Sequence, residues 1–272
     1  YLPSLDEIRP IESVDLAAFD LFVLLDCADQ DRIGDEGSHI VELGKKGAAI
    51  INIDHHVTNS RFGHVNLVDP EAAATCEILT LLYQDLGATF DSDLSTMLLT
   101  GIQGDTLGLR TPSTTSRTLR ATASLVEHKA DLDSIVDYLF RIRPFSTLKL
   151  WGEALSKASF NGVVVWTEIT PEMLERAEAD ESEGEGIVNF LAGTQGARAG
   201  ALLYRRPDGW RVSMRSLSDA VDVAELASLF GGGGHSRAAG CSLNGGDEAR
   251  DEFLATITER IARTPLPAPG GN

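Results

Sequence analysis

Asp54, His55 and His56 close the run Ile51-Asn52-Ile53-Asp54-His55-His56. Carboxylate and imidazole together are ligands for a divalent cation. A single histidine on an apolar face is usually a packed core residue. Two in succession after an acid are not, because neighbouring side chains on an extended strand point to opposite faces. A second apolar run, residues 19–25, ends in Asp26, with Asp29, Asp31 and Arg32 just beyond. Alone, Asp26 reads as a turn residue capping the next helix. Beside another strand that ends in metal-type residues, it reads as a ligand. Asp105 is the third candidate, near the carboxyl end of a helical stretch where the helix dipole opposes a carboxylate. A cation there would reverse that penalty. Asp, His and Asp together suit manganese, magnesium, iron or zinc, whereas the widely spaced Cys27, Cys76 and Cys241 supply no thiolate site.

Such ligands need strands to carry them. Residues 19–25 and 48–53 read as strands from their apolar, β-branched runs. Residues 35–46 read as a helix closed by Gly47, and 73–86 as one followed by Gly87. Helical spacing also covers 93–104 and 115–127, the latter capped by Thr115 or Ser116. The alternation implies a parallel sheet with flanking helices, an α/β fold. Sheets of that kind bind ligands beyond the carboxyl ends of their strands. Residues 133–141 and 146–158 read as helices separated by Pro144, the second joining two domains.

After Asn161-Gly162 the pattern changes. Residues 163–167, 199–204 and 210–214 read as strands, with Pro207-Asp208-Gly209 as a hairpin turn between the last two. Residues 221–230 and 248–262 read as helices, giving a smaller mixed α/β domain. The acidic stretch 178–185 reads as a solvated helix end or loop. The expected organisation is therefore a first domain over 1–142, a linker helix over 143–160, a second domain over 161–264 and a flexible tail over 265–272.

Gly231-Gly232-Gly233-Gly234-His235 is the second feature with chemical content. Consecutive glycines permit positive φ and let backbone N–H groups approach an anion closely. The run costs too much chain entropy for an ordinary turn, so it is expected to be a ligand loop. Arg215, ending a strand, could fork onto a terminal phosphate. The composition, 41 acids against 23 bases for a net charge of −18, excludes a broad duplex-binding surface but not a short phosphorylated ligand held by metal and a few arginines. No apolar run is long enough to span a membrane. Cysteine usage points to a reducing cytoplasm.

The order Asp26, Asp54-His55-His56, then Asp105-Thr106 with Leu109-Arg110 and Ser113-Thr114-Thr115 resembles the second, third and fourth motifs of the DHH phosphoesterase family. The glycine run, with Arg237-Ala238-Ala239-Gly240, resembles the glycine-rich motif of the associated C-terminal domain. Arg215-Ser216 ahead of Asp222-Val223-Ala224 fits the same domain. The likeness holds over about residues 20–260 and is strongest to the bifunctional oligoribonuclease and phosphoadenosine-phosphate phosphatase branch. The family's first motif, a His followed by a close Asp pair, is not found ahead of Asp26. A native segment upstream of Tyr1 is therefore expected, and with it most ligands of one of two metals.

The resemblance implies hydrolysis of short single-stranded oligonucleotides (nanoRNA) and of 3′-phosphoadenosine 5′-phosphate by water activated at two divalent ions, Mn2+ being the expected metal. Asp26 would bridge the metals, with His55 and Asp105 as the other ligands of one of them. Asp54 would orient a ligand, and His56 would face the substrate. Arg110, Asn189, Arg215, Ser216, Gly231–Gly234 and His235 would contact substrate. Arg110 reads equally as a surface arginine after a helix, and Asn189 as a helix cap. A cyclic-dinucleotide phosphodiesterase and a catalytically dead nucleotide-binding module are the competing readings. A homodimer is left open.

Overall fold

The computed structural model describes residues 1–218 and 220–265. The chain divides into two compact units, Tyr1–Ile142 and Arg143–Asn272. In the first, β1 (Leu21–Leu25), β2 (Ala49–Asp54) and β3 (Val65–Val68) form a parallel sheet in that order, with β1 and β2 joined through α1 (Asp35–Lys45). β3 is a short strand that the sequence reading left unassigned. Four more helices follow: α2 (Thr75–Asp85), α3 (Ser92–Asp105), α4 (Ser116–Glu127) and α5 (Leu132–Val136). The single helix expected over 133–141 is α5 followed by a wider π turn, Asp137–Arg141.

Apolar residues on both faces of the sheet explain its cover. Phe22 and Ile50 pack with Ile40 of α1 and with Leu16 on one face. Ile53 packs with Ile78, Leu98, Leu99, Ile102 and Leu125 of α2–α4 on the other. Full burial of side chains such as Leu99, Ile102 and Leu125 contributes about 1.5–3 kcal/mol each. The parallel register sets Leu25 beside Ile53 and Asp54 beside Val68. Asp26 and Asp54 thus leave neighbouring strands at the same carboxyl edge. The amide of Asp26 still donates to the Ile53 carbonyl at 3.0 Å.

The second unit opens with α6 (Phe145–Ser156), followed by β4 (Ser159–Phe160), β5 (Val164–Ile169), α7 (Pro171–Ala177) and α8 (Ile187–Ala192). β6 (Ala199–Arg206) and β7 (Gly209–Arg215) form the expected hairpin. α9 (Val223–Ser228), β8 (Gly233–His235), β9 (Ala238–Asn244) and α10 (Asp247–Arg263) complete it. The sheet runs β4-β5-β6-β7-β9-β8, antiparallel except between β5 and β6. One face packs Val212, Met214 and Leu243 on Phe253 and Ile257 of α10. The other packs Leu202 and Tyr204 on Leu150, Met173 and Leu191 of α6–α8.

Three expectations are corrected here. The glycine run is not a loop throughout: Gly233, Gly234 and His235 form β8, paired with β9. Glycine and alanine have little strand preference of their own, so tertiary pairing decides this segment. Positive φ belongs to Gly231 and Gly234, not to Gly233. The acidic stretch is not simply solvated. Glu181 pairs with Arg206 and Arg211, and Glu183 accepts from the Ser146 and Thr147 hydroxyls. Of the expected tail, residues 266–272 lie outside the described residues.

The glycines differ in what a side chain would meet. A Cβ on Gly232 would fall 2.2 Å from the Gly240 carbonyl oxygen and 2.5 Å from Cys241 Cβ, while one on Gly233 meets nothing within 4 Å. Gly232→Ala is expected to destabilise the second unit by about 1–3 kcal/mol, and Gly233→Ala to leave its melting unchanged. Equal melting temperatures for the two variants would refute this account of the packing.

Candidate metal centre

Asp26 follows β1 in the left-handed region, φ 57°, a conformation that Asp tolerates better than most residues. Its Oδ1 accepts from the Thr75 hydroxyl at 2.8 Å. Asp54, at the end of β2, is fully buried and its oxygens are committed. Oδ1 accepts from the His55 amide at 2.8 Å and from His56 Nδ1 at 2.7 Å, and Oδ2 from Asn59 Nδ2 at 2.6 Å. Burial raises the Asp54 carboxyl, but the bonds from His56, Asn59 and the backbone outweigh it and hold it below the usual carboxylate range.

The tautomers of both histidines follow from their partners. A carbonyl or carboxylate oxygen only accepts, so the nitrogen facing it carries the proton. His55 Nδ1 donates to the Ala72 carbonyl at 3.3 Å, which in the neutral imidazole leaves the lone pair on Nε2. That nitrogen lies 3.5 Å from Asp26 Oδ1 and 3.6 Å from Asp105 Oδ2. His56 Nδ1 donates to Asp54, and its Nε2 lies 3.4 Å from Arg32 Nη1. The two rings meet edge to face, 4.7 Å apart.

Asp105 is the last residue of α3, so its carboxylate stands at the unfavourable end of the helix dipole. Burial pushes its carboxyl above the usual range. His55 opposes that shift and the Asp26 charge adds to it. Cys27 is buried beside the site, and its thiol donates to the Asp29 carbonyl at 3.0 Å.

This donor set fits a divalent cation. His55 Nε2 stands within 3.6 Å of a carboxylate oxygen from each of Asp26 and Asp105. Coordination at about 2.0–2.2 Å places neighbouring donor atoms about 3.0–3.5 Å apart, close to the spacings seen here. Among the described residues, the group whose ligand atoms all lie within 4.8 Å of one another is Asp26, Asp54, His55 and His56, whereas Asp105 approaches the site at His55 and is not part of that group. Asp54 is the least available of them, because its oxygens already accept three hydrogen bonds.

Arg110 is not brought to this cluster. It follows a left-handed turn, with Leu107, Gly108 and Leu109 all at positive φ, donates to the Leu107 carbonyl at 2.5 Å and lies 5.8 Å from the Phe140 ring centre. In the second unit, Asn189 and Arg215 line one cavity of about 320 Å³ together with Arg211 and Ser213. Gly231 and Gly232 line another of about 440 Å³, also with Arg211 and Ser213. The shared residues alternate along β7, so both cavities open on one face of the sheet. Gly233, Gly234 and His235 lie in β8, on the edge of that sheet. Ser216 is buried, and its hydroxyl donates to the Ser218 carbonyl instead of facing either cavity.

Sequence reasoning passed over Thr75, Asn59 and the Ala72 carbonyl, because hydrogen bonding across the fold leaves no local pattern. It named Arg32 without giving it a role. Its position three residues beyond Asp29, whose carboxylate accepts the Arg32 amide, was the available signal.

Residues 1–102 match the DHH family, N-terminal domain, and residues 163–263 match the DHHA1 domain. The bifunctional oligoribonuclease and PAP phosphatase NrnA of Thermus thermophilus is 35% identical over 97% of this chain and 78% of that protein. Its Bacillus subtilis counterpart is 28% identical over 94% of this chain and 80% of its own length. The crystal structure of an exopolyphosphatase-related protein from Bacteroides fragilis shares the fold, with a TM-score of 0.82 at 22% identity over 89% of this chain and 72% of that one. With both domains matched and a relative 35% identical over 97% of this chain, the chain belongs to the DHH family of phosphoesterases and is a hydrolase of phosphoester bonds.

Proposed function

We propose that this protein hydrolyses short oligoribonucleotides and PAP, the 3′-phosphoadenosine 5′-phosphate, with Mn2+ as its metal. The observation that carries the reading is the approach of the Asp26 and Asp105 carboxylates to His55 Nε2, in a chain whose relatives are named for those two activities. Asp26, His55 and Asp105 would hold a divalent cation, which lowers the pKa of bound water and polarises phosphoryl oxygens. Asp54 fixes the His56 ring, and Thr75 fixes Asp26. The Arg32 guanidinium, beside His56 Nε2, stands as a donor for phosphoryl oxygens. In the second unit, Arg215, Asn189 and the glycine-lined cavity are suited to nucleotide phosphates. No helix among the described residues is long and apolar enough to cross a membrane. The three free cysteines support a cytoplasmic location.

The test is an assay with Mn2+ or Mg2+ on dinucleotides, PAP, a cyclic dinucleotide and duplex RNA. Mononucleotides from the dinucleotides and inorganic phosphate from PAP are expected, with Mn2+ the better metal and chelator abolishing both. Turnover of the cyclic dinucleotide alone would replace this reading with the cyclic one. Efficient cleavage of the duplex would contradict the argument from net charge.

A further inference from the structure

Glu77 is fully buried, belongs to no step above, and has more partners than a stray core carboxylate needs. Its Oε2 accepts from the Ala73 amide at 3.1 Å and from the Thr118 hydroxyl at 2.8 Å, and its Oε1 from Arg117 Nε at 2.5 Å. Arg117 also reaches Asp69, Nη1 to Oδ2 at 2.8 Å. One guanidinium thus ties both ends of the segment from Asp69 to Glu77. Between them, Asp69-Pro70-Glu71-Ala72 forms a tight turn, with the Ala72 amide donating to the Asp69 carbonyl at 3.1 Å. Its start is pinned to the metal centre, since the Asp69 amide donates to the Asp54 carbonyl at 3.0 Å.

Two atoms of that segment touch candidate ligands. The Ala72 carbonyl takes the His55 Nδ1 proton, and the Thr75 hydroxyl donates to Asp26. We propose that the buried Glu77–Arg117 pair, with Asp69, sets the metal affinity of this centre by holding the turn that aims His55 Nε2 and Asp26. This rests on the metal assignment made above. Glu77, Arg117, Asp69 and Thr75 are positioning residues, and none of them needs to touch metal or substrate. The plainer account is that Glu77 only caps α2, as acids at the third helical position do. That account moves helix stability and nothing at His55.

The two accounts separate in the full chain. In the metal-free protein, at a pH where the imidazole is neutral, nitrogen-15 spectra of the His55 ring should show one Nδ1–H tautomer, and a mixture in Arg117→Met and, more weakly, in Asp69→Asn. Calorimetric titration with Mn2+ should weaken about ten- to hundredfold in Arg117→Met and in Thr75→Val, the range for losing a partner that orients a ligand. Thr75→Ser, which keeps the hydroxyl, should restore affinity. If Arg117→Met does not fold by circular dichroism, Asp69→Asn and Thr75→Val carry the test, because neither leaves a buried charge unpaired. An unchanged His55 tautomer in folded Arg117→Met or Asp69→Asn would overturn the proposal, as would affinities within about twofold of the parent in folded variants. A parent chain that binds no Mn2+ would refute the metal assignment and this inference with it, whereas a parent that binds Mn2+ no better than its folded variants would refute this inference alone.

Discussion

His55→Ala and Asp26→Ala are each expected to abolish Mn2+ binding at the first unit and to cut hydrolysis by on the order of a thousandfold, the scale of losing one strong electrostatic donor in an active site. His55 Nε2 lies 3.5 Å from Asp26 Oδ1, so both residues offer a ligand atom to the same candidate site. Sites with three protein ligands have little redundancy, because the remaining two neither neutralise nor enclose the ion. His55 Nε2 is also the only nitrogen among the three, so no neighbouring carboxylate reproduces its direction. Neither side chain belongs to the packed core. His55 is 20% exposed and Asp26 52% exposed, so both variants should melt near the parent temperature. Calorimetry with Mn2+ and a release assay on dinucleotides check the two parts. Unchanged affinity in both folded variants would sink the ligand assignment. Asp105→Ala should follow them. Asp105 stands at the end of α3, where the helix dipole opposes its charge, so removing it should not destabilise the metal-free fold.

The second large effect is expected in the other unit. Arg215→Ala should raise KM for substrates with a terminal phosphate by about ten- to hundredfold, or about 1.5–3 kcal/mol, while leaving Mn2+ binding intact. Arg215 is half-buried and makes no ion pair among the described residues, although Glu185 lines the same cavity. Burial alone pushes its pKa down, and its Nη1 donates only to the Met214 carbonyl at 2.9 Å. A cation kept partly out of water without an anion is ready to take one. Arg211, on the same face of β7, differs in this respect, because Glu181 already pairs with it at 3.2 Å. Arg215→Lys should recover only part of the loss, since an ammonium cannot fork onto two phosphate oxygens. Kinetics on phosphorylated and unphosphorylated dinucleotides provide the measurement. Equal losses on both substrates would show that Arg215 does not grip a terminal phosphate.

The parts of this protein legible in its sequence share one property: short-range pattern is enough to produce them. An apolar, β-branched run that ends abruptly in Asp54-His55-His56 must be a buried strand with polar residues at its edge. The same logic placed Asp26, and parallel pairing then brings the two edges together. Helical spacing up to Asp105 put that carboxylate at a helix end. The hairpin between β6 and β7 followed from Pro207-Asp208-Gly209. The family motifs rest on these same residues.

Tertiary structure decided what the sequence could not carry. Thr75 meets Asp26 across 49 positions, and Arg117 meets Glu77 across 40. No local preference encodes such a hydrogen bond, because its geometry depends on how α2 and α4 pack beside the sheet. The Ala72 carbonyl that sets the His55 tautomer is a backbone atom, so no residue type announces it. Gly233-Gly234-His235 became a strand because β9 offered unpaired backbone groups, which matter more to a chain without side chains than its weak intrinsic preference. Ser216, beside Arg215 in sequence, turned its hydroxyl into its own turn, since successive residues at a strand end face opposite ways. Residue type and period determined which groups are present at the sheet edge. Packing between distant elements decided which way each of them points.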